Sequence, residues 1–395
     1  MPNATYVAQP TLEIEGLTFV LATAAWGIGS ILLVEIVRDS YHALSHQIKW
    51  LYQHHVWHHK AFRSDFSTLS EELYRQAHWH YDVPESVLMF IASCLFLGIA
   101  NAWSPTWATL AGTLHGIYYT TRSVSWAVAR GLGWNWAEAT DANHKLGQFL
   151  EPPNRWTVNQ SYPWRHHFDN PQAYFCGTYT FLDKLLGTAV SLQGKTIAVT
   201  GASGALGQAL LKYLTEAGVR VIALTSSRTE PITLEITGKP LTLETISWKV
   251  GFERELAEVL KRVDVLVLNQ GVNLCPQRTD QAVLHSFEVN TWSSYRLLEL
   301  FLSTVHANED IAKKEAWVVT SEAGVTPAQS PLEELSKRSL GSLVTLKRLD
   351  TPCVIRKIVL GSLRSRISPK APMLADWVAK QIINAVKRDI RNIIV

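Results

Sequence analysis

Thr196-Ile197-Ala198-Val199-Thr200-Gly201-Ala202-Ser203-Gly204-Ala205-Leu206-Gly207 joins a short apolar run to three glycines, each separated from the next by two residues. The run has the length and β-branched content of a buried strand, and Ala209 to Ala217, closed by Gly218, reads as a helix. Glycines between a strand and a helix permit a tight turn and close backbone approach, and the helix amino terminus offers N–H groups to a pyrophosphate. Gly201, Ser203, Gly204, Leu206 and Gly207 are therefore the expected cofactor-binding residues of a dinucleotide site. Val221-Ile222-Ala223-Leu224 and Val263 to Leu268 are further buried strands, with a helix over 252–262 between them. Strands alternating with helices predict an α/β Rossmann-type, doubly wound parallel sheet.

After the second strand comes Thr225-Ser226-Ser227-Arg228, with no acidic residue to bind a ribose 2′-hydroxyl. Ser226 and Arg228 suit a 2′-phosphate, which favours NADP(H) over NAD(H). Further along stand Asn269-Gln270-Gly271 after a strand, Asn290 in a helix, Ser321 after Trp317-Val318-Val319-Thr320, and Lys337. This half, about residues 193 to 390, resembles the short-chain dehydrogenase/reductase family. The resemblance implies that Asn269 and Gly271 line the cofactor site and that Asn290, Ser321 and Lys337 are catalytic. The family's tyrosine falls at position 333, where this chain has Glu333. A phenol, with a reference pKa of ~10, exchanges a carbinol proton; a carboxylic acid, at ~4.3, is expected to pair with Lys337 instead. Ordinary carbonyl reduction is not expected from that pair.

With 395 residues the chain is long enough for two cores. The net charge of +3 is small against 71 charged residues, and no basic run marks a nucleic-acid surface. Four scattered cysteines form no Cys-x-x-Cys pair, so neither a zinc knuckle nor a disulfide framework is indicated. Twelve of fourteen histidines lie at or before His167. Composition changes near 187–195, placing the domain boundary between residues 1–188 and 189–395.

The first part reads as an all-α membrane domain. Gly16 to Val34 carries no charge over nineteen residues, spanning roughly 28 Å as a helix. Ser86 to Thr121 is a second uncharged tract, broken at Asn101-Ala102-Trp103-Ser104-Pro105, and predicts a helical hairpin. Arg38, Lys49, Lys60, Arg63 and Arg75 lie between the tracts. Three crossings with that basic loop inside give an integral membrane protein whose histidines and carboxy-terminal domain are cytoplasmic. His115, inside the hairpin, is read either as a functional group or as a helix-packing hydrogen bond.

His42 and His46 lie four apart, and His55, His58 and His59 gather on one helical face. Imidazoles on two helices suit a metal, and five of them exceed what one tetrahedral zinc needs. Downstream stand His144 and the pair His166-His167. Residues 35 to 188 resemble the membrane fatty acid hydroxylase and sterol desaturase superfamily, whose boxes read His-x3-His, His-x2-His-His and His-x2-His-His. That resemblance implies a non-haem di-iron centre held by His42, His46, His55, His58, His59, His144, His166 and His167. It also implies O2-dependent hydroxylation or desaturation of a lipid, whether fatty acyl, sterol or carotenoid, with electrons from an external donor such as ferredoxin or a cytochrome. The last box departs from the pattern, because its first position is Pro163.

The order of the two halves resembles the bifunctional sterol desaturase/short-chain dehydrogenase type, whose members continue past Val395. Two alternatives accompany the oxygenase expectation. One is a degenerate binding or scaffold protein, since Pro163 and Glu333 each replace a residue the resembled family depends on. The other is a membrane-tethered NADPH-dependent carbonyl reductase.

Overall fold

The computed structural model describes residues 9–138, 144–227, 230–236, 238–274, 276–322, 331–364 and 371–395. The chain forms two compact units that interleave along the sequence: residues 1–147 with 175–182, and residues 148–174 with 183–395.

The first unit is helical. Helix α1, Gln9–Gln47, and helix α2, Lys49–Lys60, meet at Ile48, whose extended backbone breaks the run. Helix α3, Glu71–Ala77, begins where Ser70 Oγ accepts from Leu73 N, a side-chain cap that satisfies one orphan amide. A π-turn over His78–Asp82 then leads into helix α4, Val83–Trp103. Ser104-Pro105 stops α4, and Thr106 caps helix α5, Trp107–Gly131, by accepting from Thr109 N at 3.1 Å. The helical hairpin expected from the sequence is thus present.

Two helices, Glu15–Gln47 and Glu71–Trp103, are long and apolar enough to cross a membrane. Helix α5, the expected third pass, interrupts its apolar residues with Thr109, Thr113, His115 and Thr120 and does not reach that standard among the described residues. Its polar side chains turn instead to helix backbone, as where Thr113 Oγ1 donates to Thr109 O and His115 Nδ1 to Ala111 O. Helices α1 and α5 approach closely through small residues. A Cβ at Gly112 would lie 2.5 Å from Trp26 Cβ, and one at Gly116 2.9 Å from Ser30 Cβ.

The second unit is built on a seven-stranded parallel sheet. Its strands are β1 (Thr196–Thr200), β2 (Arg220–Thr225), β5 (Glu244–Ser247), β6 (Val265–Leu268), β7 (Glu315–Ser321), β8 (Val354–Leu360) and β9 (Asn392–Ile394), in the order β5-β2-β1-β6-β7-β8-β9. A small exposed antiparallel pair, β3 (Thr233–Ile236) and β4 (Lys239–Thr242), stands apart. The order reverses between β1 and β6, and in doubly wound sheets ligands bind outside the carboxyl ends of the strands at such a point. Strand β1 is buried throughout, and Ile197, Val199, Leu210, Leu214, Val267 and Trp317 belong to one core.

Residues 148–174 belong to this unit because polar side chains fasten them to it. Arg165 Nη2 lies 3.2 Å from Glu315 Oε1, Lys195 Nζ lies 2.9 Å from Asp169 Oδ2, and Phe149 N donates to Asn308 Oδ1 at 2.8 Å. Arg356 completes the buried cluster, 2.8 Å from Glu315 Oε2. Burial works to raise the Glu315 carboxyl; the Arg356 and Arg165 guanidiniums and Lys195 outweigh it and hold it down to about 2.

Candidate functional site

The glycine turn lies at the switch point. Gly201 adopts φ +61°, a left-handed conformation that disfavours side chains, and a Cβ there would meet Asn269 O and Gln270 N at 3.1 Å. A Cβ at Gly207 would sit far inside contact with Gly201 O, so the Ala205–Glu216 helix can abut the turn only without a side chain there. Leu206 is buried in the core and presents only its backbone to the turn. The helix opens at Gly204 with no side-chain cap, leaving its first amides for an anion.

Thr200 Oγ1 accepts from Asn269 N at 2.9 Å, and Asn269 Nδ2 donates to Gly201 O, which ties the end of β6 to the turn. Gln270 Nε2 is buried beside it without a hydrogen-bond partner among the described residues. Ser203 Oγ lies 2.8 Å from Ser227 Oγ and 3.4 Å from Thr225 Oγ1, while Ser226 is exposed. The hydroxyl facing Ser203 is therefore Ser227. Arg228 lies outside the described residues. A narrow cradle, an uncapped helix start, an orphaned amide donor and clustered hydroxyls fit a nicotinamide dinucleotide.

A second group of candidates closes on the same strand ends. Asn290 is buried on a π-turn, Glu288–Trp292. Its Oδ1 accepts from Val272 N at 2.7 Å, and its Nδ2 donates to Val272 O at 2.9 Å and Ser336 Oγ at 3.0 Å. Asn290 thus clamps the chain after β6 to the Pro331–Lys347 helix. Ser321 is the half-buried last residue of β7. Lys337 is buried and donates to Gln270 O at 3.0 Å and Val319 O at 3.4 Å. Gly271 leaves room for it, because a Cβ there would lie 3.2 Å from Lys337 Nζ.

The ion pair expected between Glu333 and Lys337 is corrected: two of the three ammonium donors go to main-chain carbonyls, and Glu333 acts on the lysine only from beyond ion-pair distance. Burial pushes the Lys337 amine down to about 8, with Glu333 acting to raise it. Burial raises the Glu333 carboxyl above its ordinary range, against Lys337, which lowers it, and with Glu334, which raises it.

The first unit gathers histidines. His42, His46 and His55 offer ring nitrogens within 4.8 Å of one another. His59 Nε2 lies 2.9 Å from His55 Nε2 and 3.4 Å from His46 Nε2. Phe175 O can only accept, so the 2.7 Å contact makes His42 Nδ1 the donor, and in the neutral ring Nε2 then keeps its lone pair. Burial, with His42 and His59 beside it, keeps the His55 imidazole neutral, its pKa well below the ordinary value. His58 and His144 form a second pair with ligand atoms within 4.8 Å, and the His144 ring stacks on Phe62. Clustered imidazoles, one oriented by a carbonyl, have the donor chemistry of a metal site. His166 and His167 stand on a π-turn, Arg165–Asp169, of the second unit, where His166 Nδ1 donates to Ala173 O at 2.8 Å.

Over 379 residues the chain is 51% identical to the monoglucosyldiacylglycerol epimerase of Synechocystis sp., covering 93% of this chain and 90% of that protein. The chain belongs to the family of that epimerase. Residues 197–336 also match the NAD dependent epimerase/dehydratase family. An uncharacterized oxidoreductase, YvaG, of Bacillus subtilis is 31% identical over 153 residues, covering 35% of this chain and 56% of its own length. Among solved structures, a short chain dehydrogenase from Burkholderia cenocepacia in complex with NADP shares 16% identity at a TM-score of 0.44, covering 52% of this chain and 90% of its own.

In this member of the epimerase family, several residues that shape the sites went unmarked in the sequence. Tyr81 packs its ring 4.2 Å from that of His55, and Asp82 lies 3.7 Å from His58 Nδ1 and pairs with His78. The His78-x3-Asp82 spacing is the sequence signal for that pair, in which His78 is buried.

Proposed function

We propose that the second unit carries out NAD(P)-dependent epimerisation at a carbinol carbon of the glucosyl headgroup of monoglucosyldiacylglycerol. The carrying observation is the 51% identity to the Synechocystis epimerase, which extends over 93% of this chain and so over both units. A bound nicotinamide dinucleotide supplies the two-electron acceptor and donor that inversion of an unactivated carbinol requires. Gly201, Gly204 and Gly207 with the following amides would hold its pyrophosphate, and Ser203 with Ser227 supports a 2′-phosphate and hence NADP(H). Asn269 and Gly271 shape the floor, Asn290 fixes the Lys337-bearing helix, and Ser321 would hold the reacting hydroxyl. Purified full-length protein in mixed micelles with monoglucosyldiacylglycerol should yield the epimeric glycolipid, identified by sugar analysis, faster with NADP+ than with NAD+. Absence of epimer with either cofactor would refute the reading.

The membrane is the proposed location, and the basic residues from Arg38 to Arg75 support a cytoplasmic face for the histidine loop. A second reading, iron-dependent lipid hydroxylation or desaturation in the first unit, is favoured by the convergence of His42, His46, His55 and His59. These residues, with His58 and His144, would hold the metal, and iron there would supply oxygen chemistry driven by an external donor such as ferredoxin or a cytochrome. Metal analysis of protein purified after iron supplementation should find about two irons per chain. Protein without bound iron would remove this reading.

A further inference from the structure

The epimerase reading leaves one chemical requirement unassigned: a base for the carbinol proton. Among the described residues the tyrosine position of the resembled family holds a carboxylate, so the group must come from elsewhere or from that carboxylate. We propose that Glu333 takes and returns the carbinol proton, with Lys337 as its electrostatic partner; this rests on the epimerase reading above.

Glu333 and Lys337 stand four residues apart on the Pro331–Lys347 helix and so share a face. Lys337 fixes where that face points, because its ammonium reaches carbonyls at the carboxyl ends of β6 and β7, the floor of the crevice. The Glu333 carboxylate lies beyond ion-pair distance of Lys337, whose charge acts on it through space. It is half-buried, and the charged groups acting on it are Lys337 and Glu334, both on its own helix. Burial that raises its proton affinity makes it a stronger base than a solvated carboxylate. Ser321, a neutral hydroxyl, cannot serve as the base alone.

The carbinol O–H proton passes to Glu333 while the C–H hydrogen leaves with its electron pair to the oxidised nicotinamide, giving a ketone. On return the same hydrogen and electron pair re-form the C–H bond on the opposite face, and Glu333 gives its proton back to oxygen. Neither proton nor electrons are consumed over the cycle. Glutamate is shorter than tyrosine, so the sugar must approach the helix more closely than it would a phenol.

The test uses full-length wild type, Glu333→Gln, Glu333→Asp and Glu258→Gln, the last an exposed carboxylate on the Ala257–Lys261 helix. Glu333→Gln should lower epimerisation by about 100-fold or more, with NADPH binding, read by fluorescence, unchanged. Glu333→Asp should keep part of the activity, and Glu258→Gln should resemble wild type. In the same preparations, a carboxylic acid infrared band that titrates in wild type should be missing in Glu333→Gln. Full epimerisation by Glu333→Gln with an unchanged pH profile would overturn the assignment while leaving the epimerase reading intact. A titrating band indifferent to the substitution would overturn it even without turnover. A wild type that binds NADPH yet makes no epimer would sink the epimerase reading and this assignment with it.

Discussion

Lys337 is a cation held out of water, and its pH behaviour follows from that. The fold lowers its pKa from 10.5 to about 8, so between those values the unfolded chain binds more protons than the folded one. Stability therefore rises with pH across that window, and below about pH 8 the full cost of burying the charge is present. Lys337→Met should remove that rise, seen as a smaller difference between wild-type and variant melting temperatures at pH 10 than at pH 7. The same titration sets the basic limb of epimerisation, which should fall as pH passes about 8; the acid limb should lie above the ordinary carboxylate range because Glu333 must be ionised to accept a proton. Gly271→Ala tests the floor of the site. The added methyl would press within 3.2 Å of Lys337 Nζ and 3.3 Å of Asn290 Oδ1, so turnover should drop about tenfold or more while the melting temperature moves little. An active Gly271→Ala would mean that the lysine has room to shift.

At the scale of elements, the strand-turn-helix from Thr196 to Glu216 was legible because hydrophobic run, glycine spacing and helical period all agree there. The hairpin of α4 and α5 was legible for the same reason, with Pro105 as its stop. The three π-turns among the described residues were not. They cover His78–Asp82, Arg165–Asp169 and Glu288–Trp292, and each carries a buried residue of interest: His78, His166 and Asn290. A single extra residue in a helical turn leaves no mark in composition, so sequence periodicity cannot announce it. Nor did composition reveal that residues 148–174 pack with the sheet. That segment is tryptophan- and histidine-bearing like what precedes it, yet Arg165 binds Glu315 at the start of β7. Glu315→Gln would leave Arg165 and Arg356 buried without their common counter-charge and should destabilise the second unit by about 3–5 kcal/mol, measurable by denaturant melts. The Glu315 contribution is present above the ordinary carboxylate pKa and is lost as pH falls towards about 2, so the difference between variant and wild type should shrink on acidification.

For the whole molecule, the histidines of the first unit and the crevice of the second pose separate chemical questions. Glu333 reads as a lost tyrosine in the sequence alone, and that suggested an inert reductase. Its place one helical turn before a buried lysine that reaches the strand-end carbonyls suits instead a reaction in which the same proton is taken and returned. Histidine spacing on α1 and α2 told of a cluster correctly, because four-residue spacing fixes one helical face; it carried no information on Phe175, which arrives from more than a hundred residues away to orient His42.

The most direct measurement uses monoglucosyldiacylglycerol deuterated at the ring carbinol carbons, turned over by the full-length protein in ordinary water with unlabelled NADP+. The account predicts an epimer that keeps deuterium at the inverted carbon, because the hydrogen removed with its electron pair is returned within one cycle. An epimer carrying solvent hydrogen at that carbon, or no epimer at all, would contradict it.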